Sequence, residues 1–121
     1  MTVFSCRACG TPLTGPLTES EVDSRPATDD NPRPLMVSGT FTVNDDEDYP
    51  PLGVVFLNPD DIQGTRRHGD RGRLNGCCDL DGLDGPNLVC ATCGAEVATL
   101  QNDCWVGHSL VHLEPAAVTT A

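Results

Sequence analysis

The chain has 121 residues, room for one small domain. Eighteen acidic side chains face seven basic ones, all arginine, and the formal charge of −11 works against nucleic acid or an anionic membrane surface as a partner. Only five residues are aromatic while Gly and Pro recur throughout, which excludes long helices and a large packed core; the seven cysteines are left to offset an ordering cost of about 1–2 kcal/mol per residue.

In chain order, Met1 to Gly10 carries one charged side chain and no apolar run of signal-peptide length. No stretch approaches the roughly 18 apolar residues that span a bilayer. The expectation is a soluble, cytoplasmic protein with reduced thiols, in which paired Cys-x-x-Cys motifs read as metal ligands before disulfides. Pro12-Leu13 and Pro16-Leu17 preclude a helix after the first pair. Residues 19–34 are acidic, interrupted by proline and nearly devoid of apolar side chains, so a flexible acidic loop is expected there.

Leu35, Val37, Thr40, Phe41 and Val43 favour one strand kinked at Gly39, and Asn44 to Asp48 a turn. Gly53-Val54-Val55-Phe56-Leu57, ended by Asn58-Pro59, predicts a buried strand pairing with the one before it. The stretch from Asp60 to Asn75 holds Arg66, Arg67, Arg71 and Arg73 with His68 and Asp70 between them. These arginines suit internal ion pairs on an acidic surface better than a phosphate site. Gly76 to Asn87 reads as consecutive turns, and Leu88-Val89 leads into a second cysteine pair. Ala95–Leu100 and Cys104–Leu113 alternate as two strands joined at Gln101-Asn102-Asp103, with Cys104, Val106, His108, Leu110 and His112 on one face. Residues 115–121 should fray.

Two segments repeat one pattern: Cys6-Arg7-Ala8-Cys9-Gly10-Thr11-Pro12-Leu13 and Cys90-Ala91-Thr92-Cys93-Gly94-Ala95-Glu96-Val97 both read Cys-x-x-Cys-Gly-x-x-apolar. Two cysteines so spaced place both sulfurs on one ion when the chain turns tightly. The glycine after the second permits the left-handed backbone that aims amides back at the thiolates. Each pair supplies half of a tetrahedron, and together they would pin the N-terminus to the C-terminal sheet.

Both motifs resemble the knuckles of zinc-ribbon, rubredoxin-like domains over residues 4–13 and 88–113. The resemblance implies that each knuckle caps a hairpin, that the knuckles face one another, and that Cys6, Cys9, Cys90 and Cys93 ligate a structural Zn²⁺. The insert between the knuckles is far longer than in a minimal ribbon. The fold expected is therefore a single small, mostly β domain over residues 1–121, with zinc-ribbon-like hairpins and a long loop-rich insertion. Iron is the nearest competitor for four thiolates.

For the remaining cysteines several assignments stay open. Adjacent Cys77 and Cys78 should diverge, so that one of them at most faces a given ion. One of them, with Cys104 and either His68 or His108, would make a second site, or Cys77 or Cys78 would join Cys90 and Cys93 in place of the N-terminal knuckle; otherwise the three are small buried hydrophobes or a redox switch. Asp79-x-Asp81-Gly-x-Asp84 lacks the later ligands of a calcium loop and reads as a solvated turn. No nucleophile elbow or phosphate loop is present, so an enzyme is not indicated. The function expected is a structural-zinc module that binds a protein partner, with two rivals: a thiol-redox or metal-dependent enzyme using Cys77, Cys78 or Cys104, and a nucleic-acid-binding ribbon, disfavoured by charge. Absence of lysine beside plentiful arginine, alanine, glycine and proline resembles the coding bias of GC-rich bacteria such as actinobacteria.

Overall fold

The computed structural model describes residues 1–22, 33–47, 52–104 and 108–121. Regular structure there consists of short strands and three-residue 3-10 turns, with no α-helix among the described residues, as frequent Gly and Pro dictate. The strands are β1 (Phe4–Cys6), β2 (Thr18–Glu19), β3 (Arg33–Pro34), β4 (Thr40–Val43), β5 (Val55–Leu57), β6 (Thr65–Arg67), β7 (Leu88–Cys90), β8 (Glu96–Gln101), β9 (His108–Leu113) and β10 (Val118–Thr120). The main sheet runs β2-β4-β5-β9-β8-β7-β6, and β3 pairs with the start of β9. Its pairs are antiparallel except β2 with β4 and β3 with β9. A separate ribbon joins β1 to β10.

Alternation along the central strands assigns residues to two cores. Val55, Leu57, Val111 and Leu113 enter the larger one with Phe4, Leu13, Phe41, Leu88 and Val97, whereas Val54, Phe56 and Leu110 face the opposite way, toward Met36. Phe4 meets Phe41 edge to face at 5.1 Å between ring centroids. Cys6 and Cys90, the last residues of β1 and β7, belong to the larger core. Both knuckles therefore grow out of the larger core.

The expected hairpin of β4 with β5 forms, closed by the Asn44–Gly53 backbone bond, and β8 pairs with β9 as anticipated. Several expectations are corrected. Leu35 to Gly39 is bend and turn, so the strand begins only at Thr40. Glu19 and Arg33–Pro34, at the ends of the supposed acidic loop, are strand residues, while residues 23–32 lie outside the described residues. Cys104 sits in a turn before β9 rather than within it, and Val106 lies outside the described residues. The tail expected to fray is ordered: Phe4, Ser5 and Cys6 pair with Thr120, Thr119 and Val118, and Val3 and Ala121 exchange backbone hydrogen bonds. Arg7 fastens this ribbon by donating to the carbonyls of Ala116 and Val118, and buried Val118 adds an apolar anchor that the sequence pattern of so short a strand does not reveal.

Candidate metal centre

The two knuckles are the same local structure built twice. In each, the N–H of the first cysteine donates to the residue five further on (Cys6 to Thr11, Cys90 to Ala95) and the glycine N–H returns to the carbonyl of that cysteine (Gly10 to Cys6, Gly94 to Cys90). Gly10 and Gly94 hold φ of 81° and 78°, the left-handed region expected of them. Even the register beyond repeats, with Ser5 opposite Pro12 and Val89 opposite Glu96.

Facing one another, the knuckles bring four unbridged thiols together. Cys6 Sγ lies 3.7 Å from Cys93 Sγ and Cys9 Sγ 3.5 Å from Cys90 Sγ, and the four sulfurs all fall within 4.8 Å of one another. Sulfurs about 2.3 Å from a common tetrahedral ion stand about 3.8 Å apart, so the set fits one such ion. Cys6 and Cys90 form the buried floor, while Cys9 and Cys93 are exposed. The small protein is thus mostly β, with Cys-x-x-Cys knuckles at 6/9 and 90/93 separated by a long insertion, and carries a four-cysteine cluster typical of a zinc site.

Hydrogen bonding prepares these sulfurs unequally. Thr11, through its hydroxyl and its backbone N–H, draws the Cys9 thiol below its ordinary value against desolvation. Burial pushes the Cys90 thiol up, but the N–H groups of Cys93 and Thr92 together with the neighbouring thiols reverse this and bring it down to about 6. At Cys93 the N–H of Ala95 pulls downward, yet desolvation and the thiols of Cys6, Cys9 and Cys90 override it and push it up to about 11. A sulfur facing three others resists ionisation, and a divalent cation among them removes that resistance.

The insert contributes a wedge between the knuckles that sequence reading missed. Gln63 donates its backbone N–H to the Leu13 carbonyl beside the first knuckle, and Gly64 accepts from Ala91 N–H in the second. Gly64 has φ 65°, and a Cβ there would stand 2.7 Å from the Pro12 carbonyl oxygen. A second tie is the hydrogen bond of 2.9 Å between the Thr11 and Thr92 hydroxyls. The only hint in the sequence was a glycine with no other assigned purpose.

Cys77, Cys78 and Cys104 form a separate exposed cluster in which Cys78 and Cys104 are joined as a disulfide. They are not buried hydrophobes. Nor do Cys77 and Cys78 diverge, because residues 77–79 are a bend rather than a strand. No histidine joins them. His68 accepts the Asp70 N–H on Nδ1, which leaves Nε2 to donate to Glu96 at 3.0 Å, so both ring nitrogens are engaged. His108 and His112 lie on β9 with buried, unpartnered Nε2 atoms, and burial lowers the His112 imidazole to about 4. Arg67 and Arg73 pair with Asp79 and Glu96, as the ion-pair reading expected. Asp79, Asp81 and Asp84 are spent separately, on Arg67 and Asn102, on the Leu83 N–H, and on Asn75. Comparison with protein-family models, with curated proteins and with solved structures finds no match to this chain.

Proposed function

We propose that the chain is a zinc-ribbon-like interaction module in which Cys6, Cys9, Cys90 and Cys93 hold one structural Zn²⁺. The observation that carries this is the convergence of four thiols, spaced as ligands of one tetrahedral ion, at the tips of hairpins rooted in the main core. Zn²⁺ is taken as the occupant because four cysteines closing a tetrahedron are a usual structural-zinc donor set, with iron the competitor for the same geometry. Bound to four thiolates, Zn²⁺ leaves two further negative charges on a chain already at −11, which disfavours nucleic acid and favours a protein partner with a basic face. The surfaces offered are the outer edges of β2 and β6, which end the main sheet, and the insert between the knuckles. A reducing, cytoplasmic setting would keep the four thiols available and would also open the exposed Cys78–Cys104 bridge, which departs from the reduced thiols the sequence led us to expect.

Elemental analysis of the purified chain with the Cys78–Cys104 bridge intact tests the metal: one zinc per chain is expected, and iron or no metal overturns the assignment. The enzyme reading draws on the exposed Cys78–Cys104 bridge with free Cys77 beside it. Incubation with a model disulfide and excess reductant distinguishes the two, since the module performs no catalytic turnover and sustained turnover would favour the enzyme.

A further inference from the structure

We propose that reduction of the Cys78–Cys104 bridge creates a second metal site, in which the sulfurs of Cys77, Cys78 and Cys104 bind a thiophilic divalent ion such as Zn²⁺ or Cd²⁺. A bridge needs two sulfurs, yet a third thiol stands with them: the three Sγ atoms lie within 4.8 Å of one another, all on exposed residues. Sulfurs sharing one ion stand about 3.8–4 Å apart, so a small separation of the bridged pair brings the trio to ligand spacing. A fourth position remains open to water.

The loops do not depend on the bridge for their shape. The buried Asp103 carboxylate accepts the N–H of Cys77 on Oδ2 at 2.8 Å, and on Oδ1 those of Cys78 at 2.9 Å, Asp79 at 3.4 Å and Cys104 at 2.7 Å. Asn102 adds a second clamp, accepting from Leu80 N–H and donating to Asp79 Oδ2, while the N–H groups of Asn102 and Asp103 both reach the Leu80 carbonyl. A Cβ at Gly76 would overlap the Asp79 carbonyl, so this glycine alone admits the bend that turns two adjacent cysteines to the same side. None of these contacts uses a cysteine sulfur, so opening the sulfur–sulfur bond removes none of them and leaves the three ligands preorganised.

The chemistry balances with a phosphine as reductant. The phosphine takes up an oxygen atom from water and leaves as phosphine oxide, its electron pair breaks the sulfur–sulfur bond, and the two protons of that water end on Cys78 and Cys104. The incoming cation then displaces the protons of the three thiols. A small-molecule disulfide reverses the change: it takes up the two electrons and is cleaved to two thiolates as the Cys78–Cys104 bond re-forms, which removes two of the three ligands, so occupancy follows the redox state.

The test counts ions on the full chain by elemental analysis after incubation with Zn²⁺ and desalting, with the bridge intact and after reduction by a non-chelating phosphine, with Cd²⁺–thiolate absorption as a second readout. Two ions per reduced chain and one per bridged chain are expected, and Cys77→Ser should lose the additional ion while leaving the bridge able to form. Equal counts in the two redox states, or an additional ion that survives in Cys77→Ser, would overturn the proposal. Failure of the four-cysteine assignment is distinguishable, because the bridged chain would then carry no ion while reduction still added one.

Discussion

Cys6, Cys9, Cys90 and Cys93 sit at the tips of two hairpins whose strands run into the larger core, whereas Cys77, Cys78 and Cys104 sit on two loops pinned by one buried carboxylate. The first cluster joins the two ends of the chain, and two of its four side chains, Cys6 and Cys90, are themselves core residues. The second joins two neighbouring loops and leaves all its sulfurs exposed. On the readings proposed above, the same side chain serves two purposes: in one place it sets global stability, and in the other it changes state without unfolding the protein.

Metal removal gives the largest contrast. Structural Zn²⁺ contributes on the order of 10–16 kcal/mol of apparent binding energy, as much as a typical domain's whole stability. Verified chelation, or Cys90→Ser, should abolish cooperative unfolding followed by circular dichroism. Opening the Cys78–Cys104 bridge removes only a closure over a sequence separation of 26, about 3 kcal/mol. A chain that melts cooperatively without metal would break the comparison.

Acid separates the regions next. His112 titrates at about 4 when folded, below its ordinary 6.5, because burial disfavours the imidazolium. Its contribution is complete above pH 6.5 and is lost as pH falls toward 4, up to about 3 kcal/mol. Zinc release by thiolate protonation acts in the same direction. In His112→Phe, which keeps a ring against Phe56, denaturant midpoints between pH 6.5 and 4 should fall less steeply than in the parent chain. An unchanged slope would remove His112 from the account.

The wedge between the knuckles gives a smaller effect. Gly64→Ala places a Cβ against the Pro12 carbonyl at a φ that suits glycine, and should cost about 1–3 kcal/mol by chemical denaturation. Metal stoichiometry should stay at one, since no ligand is touched. A midpoint equal to that of the parent would mean that the knuckles tolerate separation.

The contrast also explains what the sequence discloses. Each knuckle is a local structure whose residues lie within eight positions, so a repeated Cys-x-x-Cys-Gly is enough to identify it and the four thiols that converge. Strands β5, β8 and β9 were legible for a similar reason, through unbroken or alternating apolar residues. Gly64, by contrast, acquires its role only from Pro12 and Ala91, which the fold brings beside it. The Val118–Thr120 strand depends on β1 at the opposite end of the chain. The convergence of Cys77 with Cys78 depends on a bend that no periodicity signals, and Asp103, read as a turn residue, is the carboxylate that creates it.

That carboxylate supports the last and most local prediction. Burial pushes the Asp103 carboxyl up, but the N–H groups of Cys78, Cys77, Cys104 and Asp79 outweigh it and hold it down to about 2. A depressed acid stabilises the fold fully above its ordinary value near 3.8 and loses that contribution as pH falls through 2. The bend around Cys77 should thus outlast the zinc site on acidification. Asp103→Asn replaces one accepting oxygen by a donor amide that faces backbone N–H groups, so the Cys77 bond is lost if the amide takes the Oδ2 place and three bonds are lost if it takes the Oδ1 place, while the charge that strengthened the rest is gone. Hydrogen exchange at residues 77–79 and 104 should accelerate well beyond any change in β7, β8 or β9, with the zinc content of the four-cysteine site unaltered. Uniform acceleration throughout the sheet would show that the two clusters are coupled through β8 and β9, and the separation drawn between them would fail.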